Sequence, residues 1–314
     1  MTGAERGFLL LCAELGDGRK PLTPAQFRSL RSRVLARSGE APTPQRPLTE
    51  ADLRALGCDA AFAASVAGLL NRERELELYL SIAAERGIRP LTRISPEYPA
   101  RLRRLGDAAP AVLFCRGRTE LLNRPAVALV GSRELTESGR AFARRVGELA
   151  AREGLVLVSG NARGADRTGQ EACLAAGGAV IAVLPEGLQD HAPESDRILY
   201  LCQWGWHLPM APYRALERNR LIHALGEKTL AAQSRRSGGT WSGSTENLRR
   251  GWSPLFVNAD GGPGCAALAD LGAVSLRLEQ LRSLRALQPA QLPLRIQPSP
   301  EAGAESAKNP AGEG

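Results

Sequence analysis

Lysine is almost missing from this 314-residue chain. It stands only at positions 20, 228 and 308, so arginine supplies all but three of the 41 cationic side chains. Histidine is sparse too, and His191, His207 and His223 are dispersed, with no cluster of His, Cys and Asp that suggests a metal. No Ser-His-Asp arrangement can be argued from the spacing. The six cysteines (Cys12, Cys58, Cys115, Cys173, Cys202 and Cys265) include no CxxC pair. That argues against a zinc ribbon or a disulfide framework and fits reduced thiols in a cytosol. The longest apolar runs, such as Ala126 to Val130 and Ala179 to Leu184, are far too short to span a bilayer. The first residues, MTGAERGFLLLCAELGDG, carry an apolar patch that acidic residues break and no small-residue cleavage site. No signal peptide and a cytoplasmic location are therefore expected. Neither GxGxxG nor GxxxxGK followed by Ser or Thr occurs, which argues against a dinucleotide dehydrogenase and a P-loop ATPase.

What is present is positive charge on an ordinary globular composition. The net charge is +8 and the pI about 9.6, with 43% hydrophobic and 24% charged residues. A basic chain is a candidate for polyanion partners. An Arg and Ala bias also follows from GC-rich coding, so the positions of the arginines have to decide. The length accommodates one large core and a smaller module.

Residues 1–88 read as a helical module. TPAQFRSLRSRVLARS has apolar residues at helical spacing behind Thr23 as N-cap, and LTEADLRALG sets Thr49 before acidic first-turn residues and Gly57 after the last turn. DAAFAASVAGLLNRERELELYLSIAAERG reads as two more helices, and Ser38 to Pro47 as a loop. From Ile88 the pattern becomes strand and helix in alternation: strands at 112–117, 126–131, 155–159 and 179–184, helices at 137–154 and 163–176, later strands at 229–233 and 254–258. Alternation of this kind predicts an α/β, doubly wound, mostly parallel sheet over residues 89–286. Residues 287–314, rich in Pro, Ala, Gly and Glu, are expected to be a disordered tail.

Two strand ends carry the chemical signal. ALVGSRELTESGR sets Gly131, Ser132 and Arg133 between a buried strand and a helix, and VLVSGNARGAD repeats the arrangement one unit later. In an open parallel sheet, ligands bind beyond the carboxyl ends of the strands. Glycines there let the backbone approach an anion, helix N-termini add partial positive charge, and Arg forks onto phosphate oxygens. The pair of turns predicts one anion pocket.

The motifs PEYPARLRRLGDAAPAVLFCRG, VALVGSRELTESGR, VSGNARGAD, AAGGAVIAVLPEGL and RNRLIHAL, in this order, closely resemble the DNA-processing protein A family (DprA, also called Smf) over about residues 85–275. The helical module fits that family's usual N-terminal domain of SAM or helix-hairpin-helix type. The resemblance implies an extended Rossmann-like domain that binds single-stranded DNA in a basic pocket and self-associates as a homodimer. It implies protection of incoming single strands, help in loading a RecA-type recombinase, and no catalysis, cofactor, metal or membrane. Gly131, Ser132 and Arg133 match the family's GSR motif. Ser159, Gly160, Ala162, Arg163, Gly164 and Asp166 match SGxARGxD, and Arg218, Asn219 and Arg220 match RNR. Arg214, Arg218 and Arg220 are expected to add a basic rim, and Asn219 either contacts the ligand or bonds a loop backbone.

The sequence departs from the family pattern in three places. Gly169-Gln170 replaces a usual Ala-His. Trp204, Trp206 and Tyr213 crowd a segment before the RNR motif, where they either stack bases or cover the core edge. SGGTWSGSTENLRRGW replaces a commoner turn, and Gly238, Gly239 and Thr240 are expected to form a third phosphate-binding turn leading to a helix with Glu246. That stretch loosely resembles the PGGxGTxxE motif of phosphoribohydrolases, in which the Glu is catalytic. An alternative reading is therefore a nucleotide-binding or nucleotide-cleaving sensor on the same fold. The family's optional C-terminal winged helix has no counterpart here.

Overall fold

The computed structural model describes residues 1–38 and 48–289. The loop expected up to Pro47, past its first residue Ser38, and all but the first residues of the expected tail lie outside these. The N-terminal part forms α1 (Gly3–Cys12), α2 (Pro24–Ser38), α3 (Glu50–Ala55), α4 (Ala60–Leu70) and α5 (Glu73–Glu85). Their starts are set by side-chain caps. Thr2 and Glu5 close a capping box on α1, Thr49 and Asp52 one on α3, and Asp59 accepts from Phe62 N on α4. Thr23 caps α2 in the same manner through Gln26.

These helices divide between two cores. Leu22, Leu30, Leu53, Val66 and Leu69 pack together. Leu9 of α1 and Leu76 and Tyr79 of α5 pack instead with Phe114, Leu184 and Trp206 on the sheet that follows. Arg72, fully buried, secures this second contact. Its guanidinium donates to Leu10 O and Ala13 O at the end of α1 and to Asp17 Oδ1 at 3.2 Å. Orphan carbonyls at a helix end are thereby satisfied by a cation, the sign that the helix dipole favours there.

The rest of the chain runs β1 (Ile88–Thr92), β2 (Val112–Gly117), β3 (Ala126–Val130), α6 (Glu137–Arg152), β4 (Val156–Ser159), α7 (Ala165–Ala175), β5 (Ala179–Val183) and β6 (Ile198–Cys202). It continues with α8 (Pro212–Leu225), β7 (Thr229–Ala231), α9 (Gly238–Arg250), β8 (Leu255–Asn258), α10 (Pro263–Asp270) and β9 (Val274–Leu276). The nine strands form one sheet in the order β1-β2-β6-β5-β4-β3-β7-β8-β9. β3 to β9 are parallel, and β1 and β2 add an antiparallel edge. Side chains alternate between the two faces as the pleat requires. Val127 and Leu129 meet Phe142 and Val146 of α6 on one face, while Ala128 and Val130 meet Leu221 and Leu225 of α8 on the other. Among the described residues no helix is long and apolar enough to cross a membrane.

The expected doubly wound sheet is therefore present, with two corrections of detail. The later strands are shorter than the sequence pattern suggests, ending at Ala231 and starting at Leu255. β1, β6 and β9 add to the strands read from sequence. β1 carries Pro90 and Arg89, which weaken a strand signal, and the outer edge of a sheet is where Pro is tolerated. From β3 the chain winds through β4, β5 and β6 to one side, then returns to lay down β7, β8 and β9 on the other. The winding direction thus reverses between β3 and β7, and a crevice opens at their carboxyl ends.

Removing the donors of Arg72 while keeping its bulk, in Arg72→Met, leaves two buried carbonyls and Asp17 without their partner. The expected cost is on the order of 3 kcal/mol. Urea denaturation should show an earlier midpoint at unchanged slope; a wild-type midpoint would refute the role given to Arg72.

Candidate phosphate-binding cavity

The crevice is a cavity of ≈ 610 Å³. Three segments build it. The loop after β3 contributes Gly131, Ser132, Arg133 and Glu134, α8 contributes Leu216, Arg218 and Asn219, and the segment after β7 contributes Arg235 and the start of α9 from Ser237 to Thr240. The turn between β4 and α7 reaches it through Ala162 and Asp166.

That turn is organised around a carboxylate of the chain itself. Asp166 is buried, and its Oδ2 accepts from Gly160 N at 3.1 Å and Ala162 N at 3.2 Å. Across Gly160 lies the guanidinium of Arg218: a Cβ at position 160 would collide with its Nη1 and sit 2.7 Å from Asp166 Oδ2. Burial pushes the Asp166 carboxyl up to about 6, opposed first by the charge of Arg218 and then by the two N–H donors. Asn161 and Gly164 take positive φ, 59° and 87°, to turn the chain. Gly164 also packs on the backbone of Ser132 and Arg133, and Ala165 N donates to Ser132 O at 3.2 Å, so the two turns are locked together.

The expected site residues separate into three groups. Gly131, Ser132, Arg133, Asp166, Arg218, Asn219, Gly238, Gly239 and Thr240 line the cavity together. Ser159 and Gly160 lie beneath it. Ser159 is fully buried and accepts from Gln170 Nε2 at 2.6 Å, which gives Gln170 a role, while a Cβ at Gly169 would collide with Leu129; this covers the Gly169-Gln170 pair that departs from the family pattern. Arg163, Gly164 and Arg220 lie outside the lining. Arg163 is exposed and pairs with Glu134 at 3.9 Å.

The expected basic rim from α8 is not formed. Arg218 is only 5% exposed; its Nη1 donates to Val183 O at 2.9 Å while Nε finds no acceptor. Burial lowers its pKa, against the favourable charges of Asp166 and Glu186. The spacing carries a sign of this burial: Arg218, Leu221, Ile222 and Leu225 stand at i, i+3, i+4 and i+7, so the arginine opens an apolar stripe. Arg214 is held over the rings of Trp204 and Tyr213, at 5.9 and 5.5 Å, and donates to Pro209 O. Asn219 takes the backbone option, donating to Gly239 O at 3.1 Å.

The remaining aromatics serve the core. Trp206 is buried against Tyr79 with centroids 5.1 Å apart, and Trp241 packs against the sheet. The third turn also differs from expectation: Gly238, Gly239 and Thr240 are the first residues of α9, not a loop before it. Glu246, further along α9, lies off the cavity lining and pairs with Arg249 at 3.8 Å. Sequence reading overlooked Arg235, which follows β7 and binds Glu134 Oε2 at 3.1 Å across the mouth. Its position just past a strand end was the available signal. His223, on the cavity wall, is buried, which pushes it down to about 3 and keeps the ring neutral; its Nδ1 lies 3.2 Å from Thr229 Oγ1.

A switch-point cavity on a doubly wound sheet places the chain in the Rossmann-like class. The sequence model of DNA recombination-mediator protein A matches residues 89–281, and the chain belongs to that family. It is 34% identical over 152 residues to DNA processing protein DprA of Streptococcus pneumoniae, covering 46% of this chain and 53% of that protein. It is 28% identical over 200 residues to DprA of Bacillus subtilis, covering 56% of this chain and 63% of that one. The chain thus matches less than two thirds of the length of each of these relatives. The crystal structure of the S. pneumoniae protein superposes with a TM-score of 0.63 at 25% identity, over 83% of this chain and 92% of that one. A structure of DprA from Helicobacter pylori, described for its single-stranded DNA binding mode, superposes with a TM-score of 0.53 at 26% identity, over 61% of this chain and 92% of that one.

The buried carboxyl has a pH signature. A carboxyl raised from near 4 in the unfolded chain to about 6 contributes stability that is full below pH 4 and is lost as pH rises through 6. The melting temperature of the wild type relative to Asp166→Asn should therefore fall between pH 4 and 6 and level off above about 7. A difference that is flat with pH would remove the assignment.

Proposed function

We propose that this protein holds single-stranded DNA by its phosphates at the β3/β7 crevice and does no chemistry on it. The observation that carries this reading is the convergence of Arg133 and Arg235 at the mouth, buried Arg218 in the wall and the N-terminus of α9 on one cavity. Membership of the DNA recombination-mediator family and the likeness to the H. pylori protein support DNA as the polyanion. On this reading the protein shelters incoming single strands in the cytoplasm and passes them to a RecA-type recombinase, acting as a homodimer. Glu246 points away from a catalytic role, because it lies off the cavity and is engaged by Arg249.

Fluorescence anisotropy with single-stranded, duplex and free nucleotides tests the binding. Single strands should be preferred with little sequence dependence, and log K should fall against log salt with a slope of about −0.7 per neutralised phosphate. Arg133→Ala should weaken binding roughly ten- to a hundredfold, the loss of one charge-assisted hydrogen bond, without unfolding an exposed loop. Preference for duplex, or a flat salt response, would defeat the reading. Glu246→Gln should leave DNA binding intact, and chromatography should show nucleoside monophosphates unchanged by either protein. Base release by the wild type that vanishes in Glu246→Gln would establish the nucleotide-cleaving alternative instead. Light scattering at micromolar concentration should report a dimer, and a monomer with and without DNA would remove that part.

A further inference from the structure

α9 begins in a manner that helix stability alone would not select. Its N-cap, Ser237, is of a preferred type yet makes no capping bond. Gly238, at the start of the helix, takes φ 85°, a conformation that favours glycine, and Gly239 after it is among the poorest helix formers. The third is Thr240, where a Glu would close a capping box with Ser237. Elsewhere the chain does close that box, at Thr2 with Glu5 and at Thr49 with Asp52. Among the described residues nothing accepts from the first-turn N–H groups of Gly239 and Thr240, and both residues line the cavity.

A second observation points into the same space. Arg218 is 95% buried by its neighbours, with 5% of its surface exposed, and lines the cavity; only its Nη1 has a hydrogen-bond partner. Asp166 and Glu186 favour its charge, yet among the described residues neither is hydrogen-bonded to it, and Asp166 spends its Oδ2 on Gly160 and Ala162, so the unused donors of this buried guanidinium call for a further acceptor. The corner between these groups is closed behind. Asn219 donates to Gly239 O and ties α8 to α9, and Leu216 packs on Gly239 beside that bond.

We propose that this corner seats a phosphate monoester, that of a free nucleoside monophosphate or of the 5′ end of a single strand, and not a phosphodiester in mid-strand. This rests on the phosphate-binding reading above and adds to it the class of phosphate. A diester needs an exit on both sides, and the Asn219–Gly239 link closes one. A monoester carries a charge of about −1.5 to −2 and three free oxygens, which suits a lining that combines the helix N-terminus, Arg218 and Arg133 from three separate segments. Val130, Leu216 and Ile222 offer apolar wall to the attached sugar and base, and the cavity volume falls within the range of small-molecule sites.

The test compares 5′-phosphorylated and 5′-hydroxyl forms of one oligonucleotide, labelled at the 3′ end, by anisotropy, with deoxyadenosine monophosphate as free competitor. Either the phosphorylated form binds about tenfold tighter or more, or the mononucleotide competes at the cavity. Preference without competition identifies the strand end as occupant, and competition without preference identifies the free nucleotide. Thr240→Glu, which completes the box with Ser237 and sets a carboxylate where the phosphate would lie, should abolish whichever effect is seen while its melting temperature does not fall. Equal binding of the two oligonucleotides with no competition overturns this inference and leaves single-strand binding standing. Binding of neither oligonucleotide while the mononucleotide binds overturns the strand reading and leaves this one standing.

Discussion

The hydrogen bonds from Gly160 N and Ala162 N to the Asp166 carboxylate fix the geometry on which the site depends. A βα turn of this kind presents N–H groups that would suit an external anion. Here an internal carboxylate takes them. The turn is thereby folded before any ligand arrives, and its helix, α7, begins with a negative charge where the dipole favours one. The carboxylate also sets the electrostatics beneath the cavity. Arg218 is drawn to a place where burial works against its charge, and it stays there because Asp166 lies across Gly160 from it. Two glycines follow from this packing: Gly160 has no room for a Cβ between the two charged groups, and Gly164 both turns the chain at φ 87° and rests on the backbone of the neighbouring turn.

Asp166 thus separates two kinds of strand-end turn that look alike in sequence. The turn after β4 is closed by its own acid and supports the floor. Among the described residues no such internal acid bonds the backbone of the loop after β3 or of the start of α9, and both face the cavity. Glu134, a carboxylate of the cavity lining, is exposed and shared between Arg163 and Arg235. Exposed pairs of this sort are worth about 0–1 kcal/mol and yield readily to a competing anion. Rigidity below and exchangeable charge above is an arrangement suited to holding a phosphate without reorganising the fold.

Much of the sheet was legible before the structure because its central strands are short apolar runs flanked by glycine and amphipathic helices. β3, β4 and β5 with α6 and α7 follow that pattern closely. β6 did not stand out, because ILYLC follows a long polar segment with no helix between it and β5 to complete an alternating unit. The site was legible in its membership more than in its roles. Sequence names the arginines and glycines at strand ends but not which of them the third dimension seals. Arg218 was read as rim because it is charged, although its spacing from Leu221, Ile222 and Leu225 marks it as facing the sheet. For Trp204 and Tyr213 the pattern leaves base stacking and cover of the core edge both open, and in the structure they engage Arg214. The opposite error fell on Arg235, whose partner Glu134 lies about a hundred residues away in sequence, a pairing that no local pattern reveals.

The scarcity of lysine has a physical side as well as a compositional one. At the surface either cation would serve, and codon bias is sufficient reason for the exchange. At Arg72 and Arg218 it is not. Both are buried, and burial lowers the pKa of each. An ammonium in such a place sheds its proton readily, whereas a guanidinium starts so high that it keeps its charge. Arg72 must also reach Leu10 O, Ala13 O and Asp17 at once, which asks for a planar fork with several donors in place of a point charge. Lys228, the one lysine of the sheet domain, is only partly buried, and although burial lowers its pKa too, it donates to just two carbonyls, those of Leu284 and Arg285, on one strap of chain. The residue type at each buried cation therefore follows from the number of acceptors it must serve and from the charge it must keep out of water, and the cavity inherits from Arg218 a positive wall that does not switch off within the working range of pH.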